Sequence, residues 1–296
     1  MRPTLLLIVG PTGVGKTELS LQVAERFGCP ILNCDSRQIY RDIPIGTAAP
    51  TVEEQARVKH YFVGTHALEE NYNAGQYERD ALALLEDLFK RHEVVVMTGG
   101  SMLYADAVCK GLDELPTVPE EIRKEVAAKS LEWLQNEVQH LDPAYWEEVD
   151  QQNPARLAHC VEICLTTGKP YSALRTNSCK ERPFRIIKIG LERDREELYA
   201  RIDERVKQMI ANGMEDEARR VYDKRTLNSL QTVGYKELFA YFDGAYDLNR
   251  AIELIQQHSR NYAKRQMTWF RHDKEIHWLN AADDIQKNIQ QIEKLL

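Results

Sequence analysis

The sequence predicts an α/β fold in which a parallel sheet is flanked by helices and interrupted by an all-helical insertion. Apolar runs of strand length at residues 5–9, 31–35 and 94–98 alternate with amphipathic stretches at 18–27 and 78–90. Strands that alternate with helices pair in parallel, because each helix carries the chain back along the sheet. Between residues 113 and 150 the pattern turns helical and holds eleven acids against three bases. The β-branched run in FRIIKIGLE, residues 184–192, then restores a strand. These shifts divide the chain into a first core segment, 1–116, a helical insertion, 117–183, and a second core segment, 184–296, that ends in basic helices.

The first apolar run opens into Gly10-Pro11-Thr12-Gly13-Val14-Gly15-Lys16-Thr17, with an amphipathic helix behind it. In that setting the glycines let successive backbone N–H groups turn toward one anion, and the helix adds its positive N-terminal end. Lys16 supplies a point charge for the outer phosphates, and the Thr17 hydroxyl is the expected ligand of Mg²⁺, the expected cofactor.

The other two runs also end at chemically useful residues: Asp35-Ser36-Arg37-Gln38 follows the second, and Ser101 stands just past the third. Phosphate-loop hydrolases carry an acid at the end of a neighbouring strand to hold Mg²⁺, and residues 94–98 end in Thr-Gly-Gly-Ser instead. The acid is on the 31–35 strand, where kinases of small metabolites keep the base that activates a nucleophile. Group transfer is therefore favoured over hydrolysis. A helix cap is the structural alternative for Asp35.

After Leu191 the chain reads as helical again. At about 100° per residue, Leu198, Ile202, Val206, Met209 and Ile210 share one face, and Gly213 is the expected stop. Arg205 projects from within that apolar arc and Arg201 from its edge. An inward guanidinium needs an anion, either a phosphate or a structural carboxylate.

With 296 residues, 43% of them hydrophobic, the chain can bury one large or two modest cores. A net charge of −7 excludes a protein that grips nucleic acid with its whole surface, so any such contact is local. The candidate is residues 258–274, HSRNYAKRQMTWFRHDK, where Arg260, Lys264 and Arg265 are interleaved with Tyr262 and Trp269. Arginines attract phosphates and aromatic rings offer stacking surfaces, although a solvated amphipathic helix has the same look. No leader or long apolar run directs the chain to a membrane, so it is expected in the cytoplasm. The six cysteines form no CxxC pair and are expected to be reduced core residues. His159, Cys160 and Cys164 lack a second ligand pair at zinc spacing, and no metal centre is expected there.

Taken in order, GPTGVGKT, DSRQIYRDIPIGTA, GGSMLYADA, NPARLAHCVEICLTTGKP, RIDERVKQMIANGMEDEA, LQTVGYKEL and SRNYAKRQMTWFR resemble the tRNA dimethylallyltransferases over nearly the whole chain. The phosphate loop is common to many enzymes; the ordered set is specific. The resemblance implies a P-loop NTPase-like core, with the insertion clasping a tRNA anticodon stem-loop. It also implies a reaction: the dimethylallyl group of dimethylallyl diphosphate passes to the exocyclic amine of the adenosine 3′-adjacent to the anticodon, in tRNAs reading codons that begin with U. Catalytic roles fall to Asp35 as base, Ser101 as hydrogen-bond donor to the leaving oxygen, and Lys16. Gly10 through Thr17 hold the diphosphate with Arg201 or Arg205. The implied tRNA contacts are Asp35, Ser36, Arg37, Gln38, Ser101, Arg123, Arg156, Gly234, Tyr235, Arg260, Lys264, Arg265 and Gln266. A monomer of the shorter bacterial type, lacking a zinc-finger tail, is expected.

Two positions depart from the family pattern. Ser101 replaces the usual threonine and loses the methyl that limits its rotamers. His159 stands where a second arginine is usual, so the insertion is short of one charge. The competing readings are prenyl transfer to free adenine nucleotides, a small-molecule kinase, and a non-catalytic RNA-binding module. The first needs neither the insertion nor the basic segment.

Overall fold

A computed structural model describes residues 2–113, 115–176 and 179–296. Six parallel strands, β1 (Thr4–Val9), β2 (Ile31–Asn33), β3 (His60–Tyr61), β4 (Val94–Thr98), β5 (Arg185–Glu192) and β6 (Ile276–Asn280), form one sheet in the order β3-β2-β4-β1-β5-β6. The longer helices are α1 (Lys16–Phe27), α2 (Ala74–Leu88), α3 (Met102–Cys109), α4 (Glu120–Ala127), α5 (Leu131–Leu141), α6 (Pro154–Thr167), α7 (Arg195–Ala211), α8 (Tyr235–Phe242), α9 (Leu248–His272) and α10 (Ile285–Glu293). They divide into two compact units: Met1–Cys109 with Glu181–Leu296, and Lys110–Lys180.

In the first unit β1 is central, with Leu6 opposite Val96 on one side and Ile187 on the other, and all its residues are buried. An unbroken apolar run is what a strand covered on both faces requires. Leu6, Ile8, Val96 and Ile189 pack with Leu21 of α1 and Ile202 of α7, each fully buried aliphatic contributing roughly 2–3 kcal/mol. A second cluster joins Ile43, Leu238 and Phe239 to Ala251 and Ile255 of α9. The carboxyl ends of β1, β2 and β4 lie side by side, so the residues that follow them share one crevice. This is the P-loop NTPase-like arrangement.

Every regular element among the described residues of the second unit is a helix. Val126, Leu134, Val138, Leu157, Cys160 and Val161 form its core. Asn153 caps α6 by accepting from Arg156 N, with Pro154 at the first helical position. Buried Asp142 accepts from Tyr145 N at 3.0 Å and from the hydroxyl and N–H of Ser172 at 2.7 and 2.6 Å.

Several expectations need correction. The chain after Leu191 is not wholly helical: Ile276–Asn280 adds β6 beside β5, and β3 extends the opposite edge. Helix α2 starts at Ala74, before residue 78, because Asn73 and Gln76 close a reciprocal cap. Helix α7 does stop where expected: Asn212 takes its C-cap, and Gly213, at φ 95°, follows it, donates to the carbonyl of Ile210 and opens the next short helix. Five cysteines are buried and none is in a disulfide, but Cys179 is exposed. Among the described residues no helix is long and apolar enough to cross a membrane.

Candidate active site

The site begins at the turn between β1 and α1. Gly15 caps α1 with φ 118°, a value closed to residues with a Cβ, and nothing lies within 4 Å of where that Cβ would point. The space beside the helix start is therefore left open. Lys16 folds back under the loop, its ammonium donating to the carbonyls of Gly10 at 2.9 Å and Pro11 at 2.8 Å. Burial, then the charge of Arg205, lower its pKa from 10.5 to about 8. The pKa of Arg205 is itself lowered, by burial, against the opposing pull of Asp35. Lys16, Arg205 and Asp35 are thus one electrostatic neighbourhood with an excess of positive charge.

The two arginines of α7 are not equivalent. Arg205 donates to Thr12 Oγ1 at 2.7 Å, while exposed Arg201 donates to the carbonyl of Gly13 at 3.0 Å. Thr17 is exposed in the first turn of α1.

At the end of β2, Asp35 Oδ1 accepts from Arg37 N at 2.9 Å and Gln38 N at 3.4 Å. Residues 36–39 form a turn and not a helix, so the helix cap expected as an alternative is not formed; the turn nevertheless occupies one carboxylate oxygen. The other, Oδ2, faces Gly100: a Cβ there would lie 3.3 Å from it and 2.6 Å from Gln266 Nε2, so only glycine lets these groups approach. Ser101, after β4, is buried; its Oγ accepts from Ser36 N at 2.8 Å and pairs with Ser36 Oγ at 2.9 Å. The ends of β2 and β4 are joined through these bonds. Gln38 is occupied elsewhere, its amide donating to the carbonyls of Thr47 and Ala48, and Arg37 donates to the carbonyl of Asn228.

Helix α9 closes the arrangement. Gln266 accepts from Thr12 N at 2.9 Å and donates to the carbonyl of Gly100 at 2.8 Å, tying the phosphate loop to the β4 end. One turn earlier, Tyr262 donates to the same carbonyl at 3.3 Å. Strand ends that present a phosphate loop, a carboxylate and a hydroxyl to one crevice suit displacement of a phosphate-bearing leaving group by a nucleophile that loses a proton.

The family profile described as IPP transferase matches residues 38–273. The chain belongs to the IPP transferase family. It is similar to tRNA dimethylallyltransferase 2 of Parabacteroides distasonis, with 58% identity over 95% of each chain. Among solved structures, a tRNA isopentenylpyrophosphate transferase of Bacillus halodurans superposes with TM-score 0.73 and 33% identity, over 99% of this chain and 95% of that one. A eukaryotic dimethylallyltransferase described as acting on tRNA shares the fold, with TM-score 0.81, 24% identity, and coverage of 95% of this chain and 74% of the other.

For an IPP transferase, the expected RNA contacts fall in unexpected places. Gly234 and Tyr235 are buried; the Tyr235 hydroxyl donates to Glu217 at 2.5 Å, and a residue without exposed surface offers nothing to a macromolecule. Gln266, 1% exposed, is likewise a bridge between loops and not an outward contact. Arg260 pairs with Asp203 of α7. Lys264 and Arg265 are exposed, Arg265 lying over the Tyr262 ring. In the second unit Arg123 and Arg156 are exposed, and the pKa of His159 is lowered by burial and then by the charge of Arg123.

Sequence reasoning missed Glu217. This fully buried carboxylate also accepts from the backbone of Ile45 at 2.9 Å and Gly46 at 2.8 Å, and so holds the segment that follows the Asp35 turn. Its signal was an acid one turn from Met214 on an otherwise apolar face. Among the described residues, the potential metal-binding group is Asp142, Cys160 and Cys164, without His159. Three hydrogen bonds already occupy the carboxylate of Asp142, which marks the group as structural.

Proposed function

We propose that this chain is a tRNA dimethylallyltransferase. It moves the dimethylallyl group of dimethylallyl diphosphate to the N6 amine of the adenosine 3′-adjacent to the anticodon, in tRNAs reading codons that begin with U, and releases diphosphate. The observation that carries this reading is the 2.8 Å bond from Ser36 N to Ser101 Oγ, which sets a hydroxyl beside the Asp35 carboxylate across from the phosphate loop. A kinase needs no donor at that point, whereas a diphosphate leaving group does.

Cleavage of the allylic carbon–oxygen bond leaves negative charge on the diphosphate. The backbone N–H groups of the loop, Lys16 and Arg205 stabilise it, and they do so most where water is excluded. Lys16 and Arg205 exchange their bonds to Gly10, Pro11 and Thr12 for bonds to the arriving anion. Ser101 donates to the oxygen that joins dimethylallyl to diphosphate. Asp35 Oδ2 takes the proton of the adenine amine while Oδ1 keeps the carboxylate in place. The adenosine leaves its stack at a cost of a few kcal/mol, modest in a single-stranded loop.

Mg²⁺ suits the mouth of this loop. The Thr17 hydroxyl is a hard oxygen donor on an exposed residue with no hydrogen-bond partner among the described residues, and the remaining ligands would be diphosphate oxygens and water. Bound there, the ion would add positive charge to the diphosphate. The exposed Lys264, Arg265, Arg123 and Arg156 are the proposed phosphate-backbone contacts.

The test mixes the protein with dimethylallyl diphosphate and either AMP or an anticodon stem-loop. Prenylation of the stem-loop, lost in Asp35→Ala, is the expected result. Transfer to AMP alone, or phosphate transfer from ATP with no prenylation, would refute the proposal.

A further inference from the structure

Ser101 is held from two elements at once. From the β2 end, Ser36 N donates to its Oγ at 2.8 Å and Ser36 Oγ lies 2.9 Å away. From α9, the Tyr262 hydroxyl bonds the carbonyl of Gly100 at 3.3 Å and also meets the Ser101 side chain. Gln266, one turn further, holds that same carbonyl at 2.8 Å, so the peptide leading into Ser101 is clamped as well.

A free serine samples three staggered rotamers, and the methyl of a threonine narrows that choice. A serine oxygen has two lone pairs and one hydrogen. The Ser36 N–H occupies one lone pair. The Ser36 hydroxyl, turned toward Ser101, can occupy the other, while the single hydrogen of Tyr262 is given to the carbonyl of Gly100; the hydrogen of Ser101 is then committed to an incoming acceptor.

We propose that Tyr262 is a positioning residue for Ser101: together with Ser36 it fixes the serine's rotamer and directs its hydrogen to the leaving oxygen of the donor, supplying the constraint that a threonine methyl would provide. This rests on the reading of Ser101 as donor to that oxygen. Burial and the charge of Asp35 raise the pKa of Tyr262, so it remains a protonated donor throughout the neutral range. Its ring is partly buried, and phenylalanine would keep the packing while removing only the hydroxyl.

The experiment compares Tyr262→Phe, Ser101→Thr, Ser101→Ala and the Tyr262→Phe/Ser101→Thr pair by steady-state kinetics with an anticodon stem-loop, below the melting temperature of every variant. Tyr262→Phe is expected to lower kcat about five- to tenfold, the worth of one hydrogen bond realised in the transition state, with KM for both substrates near wild type. Ser101→Thr is expected to remain active, and in that background Tyr262→Phe should cost less than about twofold. An unchanged kcat in Tyr262→Phe, or the same loss in both backgrounds, would overturn the inference. Ser101→Ala separates the two levels. If it is inactive while Tyr262→Phe is fully active, only the inference fails; if it is fully active, the role of Ser101 fails and the inference with it.

Discussion

Arg205 Nη1 donates to Thr12 Oγ1 across 2.7 Å, whereas Arg201 touches the same loop only at the carbonyl of Gly13. The inner arginine shares its surroundings with Lys16 and Asp35, and the outer one is exposed. Charge stabilisation is worth most where water is scarce, so the two should separate in kinetics. Arg205→Gln is expected to lower kcat/KM for the donor about 100-fold, and Arg201→Gln by no more than about threefold. Equal losses would mean that both arginines meet the diphosphate.

Lys16 gives the site a pH dependence of definite sign. Its pKa in the free protein is lowered to about 8, and only the charged ammonium attracts diphosphate. Donor affinity should be greatest below pH 8 and weaken as pH rises through that value. Near pH 9 the lysine is mostly neutral, and binding should take up close to one proton, measurable by titration calorimetry in buffers of different ionisation enthalpy. Arg205→Gln removes a neighbouring like charge, so the point of weakening should move to higher pH. Proton uptake that does not change between pH 6 and 9 would contradict this account.

Gln266 and its exposed neighbours on α9 should have opposite phenotypes. Gln266→Ala leaves Thr12 N without its partner and the carbonyl of Gly100 with Tyr262 alone, and is expected to cost about 1–3 kcal/mol of stability and raise donor KM, with tRNA affinity unchanged. The double change Lys264→Ala/Arg265→Ala should leave stability and donor KM alone. It should weaken tRNA binding and flatten its salt dependence by a slope of roughly 1.5. Filter binding at several salt concentrations distinguishes the two.

These contrasts also mark where the sequence was legible. The phosphate loop acts through backbone N–H groups and two side chains at fixed spacing, so its chemistry is written locally, and Asp35 and Ser101 could be placed because each ends an apolar run. The central strands were clear because their burial on both faces leaves continuous apolar residues. Strands β3 and β6 were not: β3 is two partly buried residues, and β6 is an edge strand whose exposed face breaks the apolar run. The burial of Gln266 was not legible either: it sits in a basic segment, yet it falls on the buried face with Ala263 and Phe270. A polar residue on an apolar helical face was the available signal, the same one that singled out Arg205. The burial of Tyr235 depends on Glu217, eighteen residues earlier in the chain, and no local pattern announces such a partner.

Tyr235 should therefore be a stability residue. Tyr235→Phe removes one of the three donors to a buried carboxylate, and the melting transition is expected to shift by the equivalent of about 1.5–3 kcal/mol. Well below that transition, tRNA affinity should match wild type. A selective loss of RNA binding at full stability would instead place Tyr235 at the RNA surface.

His159 supplies the last prediction. Burial and the nearby charge of Arg123 lower its pKa below the usual 6.5, so the imidazole is neutral at pH 7 and brings no charge to that face of the second unit. His159→Ala should leave tRNA affinity at neutral pH unchanged. His159→Arg adds a permanent cation between Arg123 and the acid Glu162, which lies 4.0 Å from the imidazole. If this face meets the RNA backbone, the added charge should tighten binding at low salt and steepen the plot of log affinity against log salt by somewhat less than one. The slope is the decisive quantity, because a change in packing would shift affinity equally at all salt concentrations, whereas a new phosphate contact must release a counterion. An unchanged slope in His159→Arg would remove this face of the second unit from the RNA contact surface and leave Lys264 and Arg265 as the main candidates.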